Sequence, residues 1–205
     1  MVVIFDPQDI LTDTAGCRFV SWQRMAWEQG ILYDADMDER LKGTDEKTRL
    51  AVILDQGRRG YSAAEQVALR MRREDLYEES IRQMGEKAVL PGAVRMLKRL
   101  RQRAMRLAAV ATDGTAGAVL NGTLLRPLFD CISRQEDIRA QLEEVVTRME
   151  TEPGDCLLVT SSGPTAQIAC ELGIRALLCD RTDGEKTLLR RILSALPQDA
   201  EDRLE

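Results

Sequence analysis

The residues best suited to chemistry stand where apolar runs end. "VVIFDPQD" places Asp6 directly after four apolar residues, and Asp9 and Asp13 follow within a few positions. "LAAVATDG" runs into Thr112 and Asp113, and "CLLVTSSG" into Thr160, Ser161 and Ser162. A carboxylate at the end of a buried strand suits two tasks, covalent nucleophile or ligand to a hard cation. Hydroxyls in a turn before a helix can bind phosphoryl oxygens or simply cap the helix. Asp6, Asp9, Asp13 and Asp113 together could form a cation site. Solvated or capping acids are the plainer reading of Asp9 and Asp13.

Histidine is absent, which removes Ser-His-Asp and Cys-His catalysis and imidazole metal sites. The five cysteines are Cys17, Cys131, Cys156, Cys170 and Cys179, an odd number with no C-x-x-C spacing. They read as reduced, mostly buried thiols in a cytoplasmic protein, ahead of a zinc site or a catalytic thiol. A net charge of −5 disfavours nucleic acid as a partner. No apolar run reaches the roughly 20 residues that span a bilayer, and no basic leader precedes "VVIFD". The expectation is neither membrane nor nucleic-acid binding.

Alternating elements must position these strand ends. "VVIF", "RLAAVA", "FDCIS", "DCLLVT" and "RALLCD" read as strands, separated by amphipathic helical patterns. That alternation predicts a doubly wound, Rossmann-like parallel sheet of the α/β class, covered by helices on both faces. An all-helical block interrupts it after the first strand. It opens with Phe19, Trp22 and Met25 at helical spacing and breaks around "LKGTD". It continues with "SAAEQVALRMRREDLYEESIRQMG", where Ser62 and Glu65 form a capping-box pattern. The expected organisation is an α/β core of residues 1–13 and 89–205 with a helical cap, 14–88, inserted. The tail "PQDAEDRLE" reads as frayed and acidic. In such sheets ligands bind beyond the carboxyl ends of the strands, where "FDPQD", "VATDG" and "VTSSG" lie. The basic run from Arg95 to Arg103 reads as the solvated face of a helix.

"FDPQDILTDTAGCRFVSW" resembles the opening of β-phosphoglucomutases and related sugar-phosphate phosphatases of the haloacid dehalogenase superfamily. "ERLKGTDEKTRLAVIL" resembles their cap segment, and "VLPGAVRMLKRLR" the helix that re-enters the core. "LFDCI" and "GDCLLVTSSGPTAQIACELGI" resemble later core segments, so the likeness runs over roughly residues 1–180. It implies a helical cap on an α/β core, and Mg²⁺-assisted phosphoryl transfer through an aspartyl phosphate. Asp6 matches the nucleophile position. Gln8 stands at the acid/base position, where a carboxamide cannot exchange a proton. Asp9 takes a usual glycine position. Thr112 is the phosphate-binding hydroxyl, with Ala111 the alternative alignment. The expected lysine is missing, since none lies between Lys98 and Lys186, leaving Arg134 or Arg139 for its role.

Thr160 and Ser161 occupy the positions of metal-binding acids, so Mg²⁺ would depend on Asp6 with Asp9 or Asp113. In the cap, Lys42 and Gly43 fit the substrate loop, and Arg73 falls near a phosphate-contacting lysine. Glu46 reverses the charge of an expected arginine, and Arg18 replaces a hinge histidine. The resemblance therefore implies a small phosphorylated ligand, or an unidentified protein partner, for a catalytically impaired homologue. Two alternatives stand beside it. One is a weakly active, Mg²⁺-dependent phosphatase or phosphomutase working through Asp6. The other is a metal-free hydrolase like the haloacid dehalogenases, suggested by "FDPQD" and "VTSSG".

Overall fold

The computed structural model describes residues 1–111, 114–179 and 183–195. Thr112 and Asp113, expected at the site, and the acidic tail 197–205 lie outside the described residues.

Five strands form one parallel sheet in the order β3-β2-β1-β4-β5. They are β1 (Val2–Phe5), β2 (Arg106–Ala109), β3 (Cys131–Ile132), β4 (Cys156–Thr160) and β5 (Arg175–Leu178). β1 is central and apolar at every position, as a strand covered on both faces must be. Val3 and Phe5 pack on one side with Met96, Leu97 and Leu100. Val2 and Ile4 pack on the other with Leu142 and Val145. β3 is shorter than "FDCIS" suggests. The strand itself is Cys131 and Ile132; the flanking Asp130 and Ser133 N–H groups donate to Leu107 O and Ala109 O, and the Asp130 carboxylate accepts from the Leu107 N–H and from Arg101.

The helices are α1 (Ala15–Glu28), α2 (Ala35–Arg40), α3 (Glu46–Asp55), α4 (Ala63–Arg82), α5 (Ala93–Gln102), α6 (Ala116–Gly122), α7 (Ile138–Arg148), α8 (Gly163–Glu171) and α9 (Glu185–Ser194). Both halves of the Ser62/Glu65 capping box are made. Asp34 and Asp45 cap α2 and α3 through their side chains.

The chain forms two compact units, one of residues 1–13 and 84 onward, the other Thr14–Gln83. Residues 84–88, which the sequence pattern groups with the helices, lie in the sheet unit. The Gly85 N–H donates to Gly122 O, and Ala88 O accepts from Asp13 N–H. The helical unit has its own core of Trp22, Met25, Tyr33, Ile53 and Leu76. Among the described residues no helix is long and apolar enough to cross a membrane.

Candidate functional site at the strand ends

β1 delivers Asp6 to the carboxyl edge of the sheet. The Asp6 N–H donates to Val159 O at 3.0 Å, which carries the β1–β4 ladder one residue past Phe5. The side chain is 6% exposed. Thr160, the last residue of β4, is fully buried and donates its hydroxyl to Asp6 Oδ2 at 3.4 Å. Thr160 Oγ1 in turn accepts from the Ser162 N–H at 3.1 Å. Ser162 caps α8, accepting from the Thr165 N–H and hydroxyl. The hydroxyls after β4 thus form a relay from the α8 N-terminus to Asp6. Ser161 is exposed.

Gln8 is tied in the other direction. Its amide donates to Thr115 Oγ1 at 2.6 Å, linking the loop after β1 to the start of α6. The loop itself is tight, because Pro7 O accepts from the N–H groups of Leu11 and Thr12 and from the Thr12 hydroxyl. Asp9 donates its N–H to Thr12 O and sits at φ +60°. That left-handed conformation suits glycine best, and aspartate is among the few other residues that tolerate it. Local backbone geometry therefore accounts for Asp9. No group of three or more Asp, Glu or Cys among the described residues is arranged to hold a metal ion. Asp113, the fourth member of the cation site expected from Asp6, Asp9 and Asp13, lies outside the described residues.

Two residues that the sequence did not single out help hold this edge. Thr115 is the partner of Gln8. Gln141, 1% exposed on α7, pairs with the backbone of Ala111 in both directions. Its Oε1 accepts from Ala111 N–H at 2.8 Å and its Nε2 donates to Ala111 O at 2.7 Å. The amide acts as a short extra strand at the end of β2. Ala111 is fully buried. Of the two arginines considered for the missing lysine role, Arg139 forms an ion pair with Glu171 on α8. Arg134 is exposed, and its N–H donates to Glu144.

The cap residues lie in the helical unit. Lys42 is largely exposed and pairs with Glu39 at 3.2 Å. Gly43 turns the chain at φ +79° into the Asp45 cap. Arg73, on α4, is buried, at 5% exposure, and pairs with Glu46 at the start of α3. Its guanidinium lies over the rings of Trp22, at 5.1 Å, and Tyr77, at 5.7 Å. Arg49 lies 5.9 Å from the Trp22 ring and binds Asp38, the Tyr33 hydroxyl and Leu41 O. Burial, and then donation to Asp38, hold the Tyr33 phenol well above its ordinary pKa. The helical unit therefore brings Glu46 and Arg73 together around Trp22, while Lys42 stays outside that cluster in solvent.

No protein-family model matches the chain. It is similar to the β-phosphoglucomutase of Bacillus subtilis strain 168, with 32% identity over 120 residues, 58% of this chain and 53% of the relative. The match thus spans about half the length of that curated relative. Among solved structures, a β-phosphoglucomutase from Clostridium difficile covers 91% of this chain and 87% of its own, with a TM-score of 0.63 and 20% identity. A haloacid dehalogenase-like hydrolase from Streptococcus pneumoniae covers 96% and 91%, with a TM-score of 0.69 and 18% identity. At such identities the structural likeness is one of fold.

Proposed function

We propose that this chain, which has the haloacid dehalogenase fold and is similar to β-phosphoglucomutases, is a homologue with impaired phosphoryl transfer, acting as a ligand-binding or regulatory protein. The observation that carries this reading is the bonding around Asp6. A carboxylate nucleophile attacking phosphorus needs an acid/base partner and cations to offset charge on the phosphoryl oxygens. Here Gln8 stands at the partner position and is engaged as a donor to Thr115. Thr160 stands where metal-binding acids belong and donates a hydrogen bond to Asp6. The described donor set is one carboxylate with neutral hydroxyls, which does not fit Mg²⁺, a cation that favours carboxylates and phosphates. No step is therefore routed through a metal. Asp6 keeps a place at the ligand-binding edge of the sheet, and the ligand class suggested by the resemblance is a small phosphorylated molecule.

The second reading, a weakly active phosphatase or phosphomutase, is favoured by the 32% identity to an enzyme of that name. It requires Mg²⁺ on Asp6 with Asp9 or Asp113, and an arginine in the lysine role. The two readings separate in a turnover assay on an aryl phosphate and a hexose phosphate with Mg²⁺. The proposed reading expects no Asp6-dependent turnover from the natural chain. It also expects measurable turnover only when Gln8→Asp is combined with Thr160→Asp and Ser161→Asp. Turnover by the natural chain that Asp6→Asn abolishes would establish the second reading.

A further inference from the structure

A basic, leucine-lined face on the sheet unit lies apart from the strand-end site. α5 and α9 pack together, and a groove of about 280 Å³ between them is lined by Arg99, Lys186, Leu189, Arg190 and Leu193, with Ser194 at its end. Among the described residues three cations line it and no acid does. Arg99 also lines a second groove, of about 910 Å³, on the other side of α5. Its apolar lining includes the exposed Leu124 and Val94 above Val89, Leu125 and Leu128, which pack on the core, and Arg95 and Lys98 supply further charge against one acid among the described residues, Glu86. Glu185 is shared between Arg95 and, at 3.9 Å, Arg99. Lys98, Lys186 and Arg190 make no ion pair among the described residues. The chain as a whole carries −5, so this face opposes the sign of the molecule. Such a local field selects and steers anionic partners.

The apolar side chains narrow the class of partner. Leu124 lines the larger groove, is 65% exposed and holds φ +59°. A leucine rarely adopts that backbone region, and its side chain gains nothing from burial within the chain. Val94, beside it in the same groove, is 37% exposed. A nucleic-acid backbone would use the cations and leave the leucines idle, and no aromatic side chain lines either groove for bases to stack on. A segment with carboxylates flanking apolar anchors uses both features, as amphipathic helices do when they dock in grooves. α5 spans ten residues, about 15 Å, which matches two to three turns of such a segment.

We propose that the α5–α9 face is the docking site for an acidic, leucine-bearing segment of a partner protein. The reading is independent of whether Asp6 is active. It gives the basic run of α5 a task beyond solvation.

The test is fluorescence anisotropy of the full chain with a labelled synthetic peptide of about ten residues, in which glutamates flank leucines at helical spacing. Binding should weaken at least about tenfold when Lys98→Glu and Arg190→Glu are combined, and should weaken as salt rises. Arg40→Glu with Arg58→Glu in the helical unit changes the net charge equally and should leave binding unchanged. Equal loss with both pairs would overturn the proposal, since net charge alone would then explain it. A peptide with serine in place of leucine should bind markedly more weakly. Equal binding would remove the apolar part of the claim and overturn it. No detectable binding, or tighter binding of single-stranded DNA of matched charge, would also overturn it.

Discussion

At the strand ends, buried polar groups are satisfied by neutral donors, whereas around Trp22 they are satisfied by opposite charges. Asp6 receives the Thr160 hydroxyl, Gln8 reaches Thr115, and Gln141 pairs with the Ala111 backbone. In the helical unit Arg73 meets Glu46, and Arg49 meets Asp38, on either flank of an indole. The first arrangement depends on geometry and is nearly blind to salt. The second depends on charge, and its exposed partner can exchange for another anion. Glu46 is 55% exposed at its side chain while Arg73 is 6%, so an incoming anion has only to displace a solvated carboxylate.

This contrast can be broken most severely at Gln141. Gln141→Leu removes both bonds to Ala111 and leaves its buried N–H unpaired, while Ala111 O keeps the Gly114 N–H. A loss of about 3 kcal/mol, the upper end for one orphaned buried group, follows. Urea unfolding should record it, equally at low and high salt. Next in size is Gly92→Ala. Gly92 sits at φ +86°, and a β-carbon there would lie 2.6 Å from Cβ of Glu185. Left-handed strain plus the displaced α9 start should cost about 2 kcal/mol, seen as a lower thermal midpoint.

Glu46→Gln should cost less, about 1 kcal/mol, because the carboxylate is half in water. That cost should shrink as salt rises, unlike the Gln141 effect, and Trp22 fluorescence should change. A salt-independent cost would erase the proposed difference between the two regions. The smallest effect concerns the thiols. Burial pushes Cys131 and Cys156 upward and Cys179 up to about 11. Thiol alkylation at neutral pH should therefore label exposed Cys170 first. The buried three should react only on unfolding or as pH approaches their raised values.

Much of the architecture was legible because it is written in local patterns. Apolar runs gave the strands, and Ser62 with Glu65 marked the start of α4. The break at "LKGTD" is the gap between α2 and α3. What escaped depends on contacts between distant positions. Gln141 meets Ala111 across 30 positions and Glu46 meets Arg73 across 27, and no periodicity reports either. The strand at "FDCIS" was legible but its length was not, because all five residues have strand composition and only Cys131 and Ile132 form β3. The choice between Ala111 and Thr112 could not be made by counting along the chain. Ala111 is a buried member of the core whose backbone Gln141 clamps.

The most direct test of the account is thermal unfolding of the full chain with and without Mg²⁺ plus beryllofluoride, which mimics an aspartyl phosphate. A ligand that binds the native state raises the midpoint by linkage. The account predicts no rise, because the proposed reading assigns Asp6 no Mg²⁺ to hold the mimic. A clear rise that Asp6→Ala abolishes would contradict it.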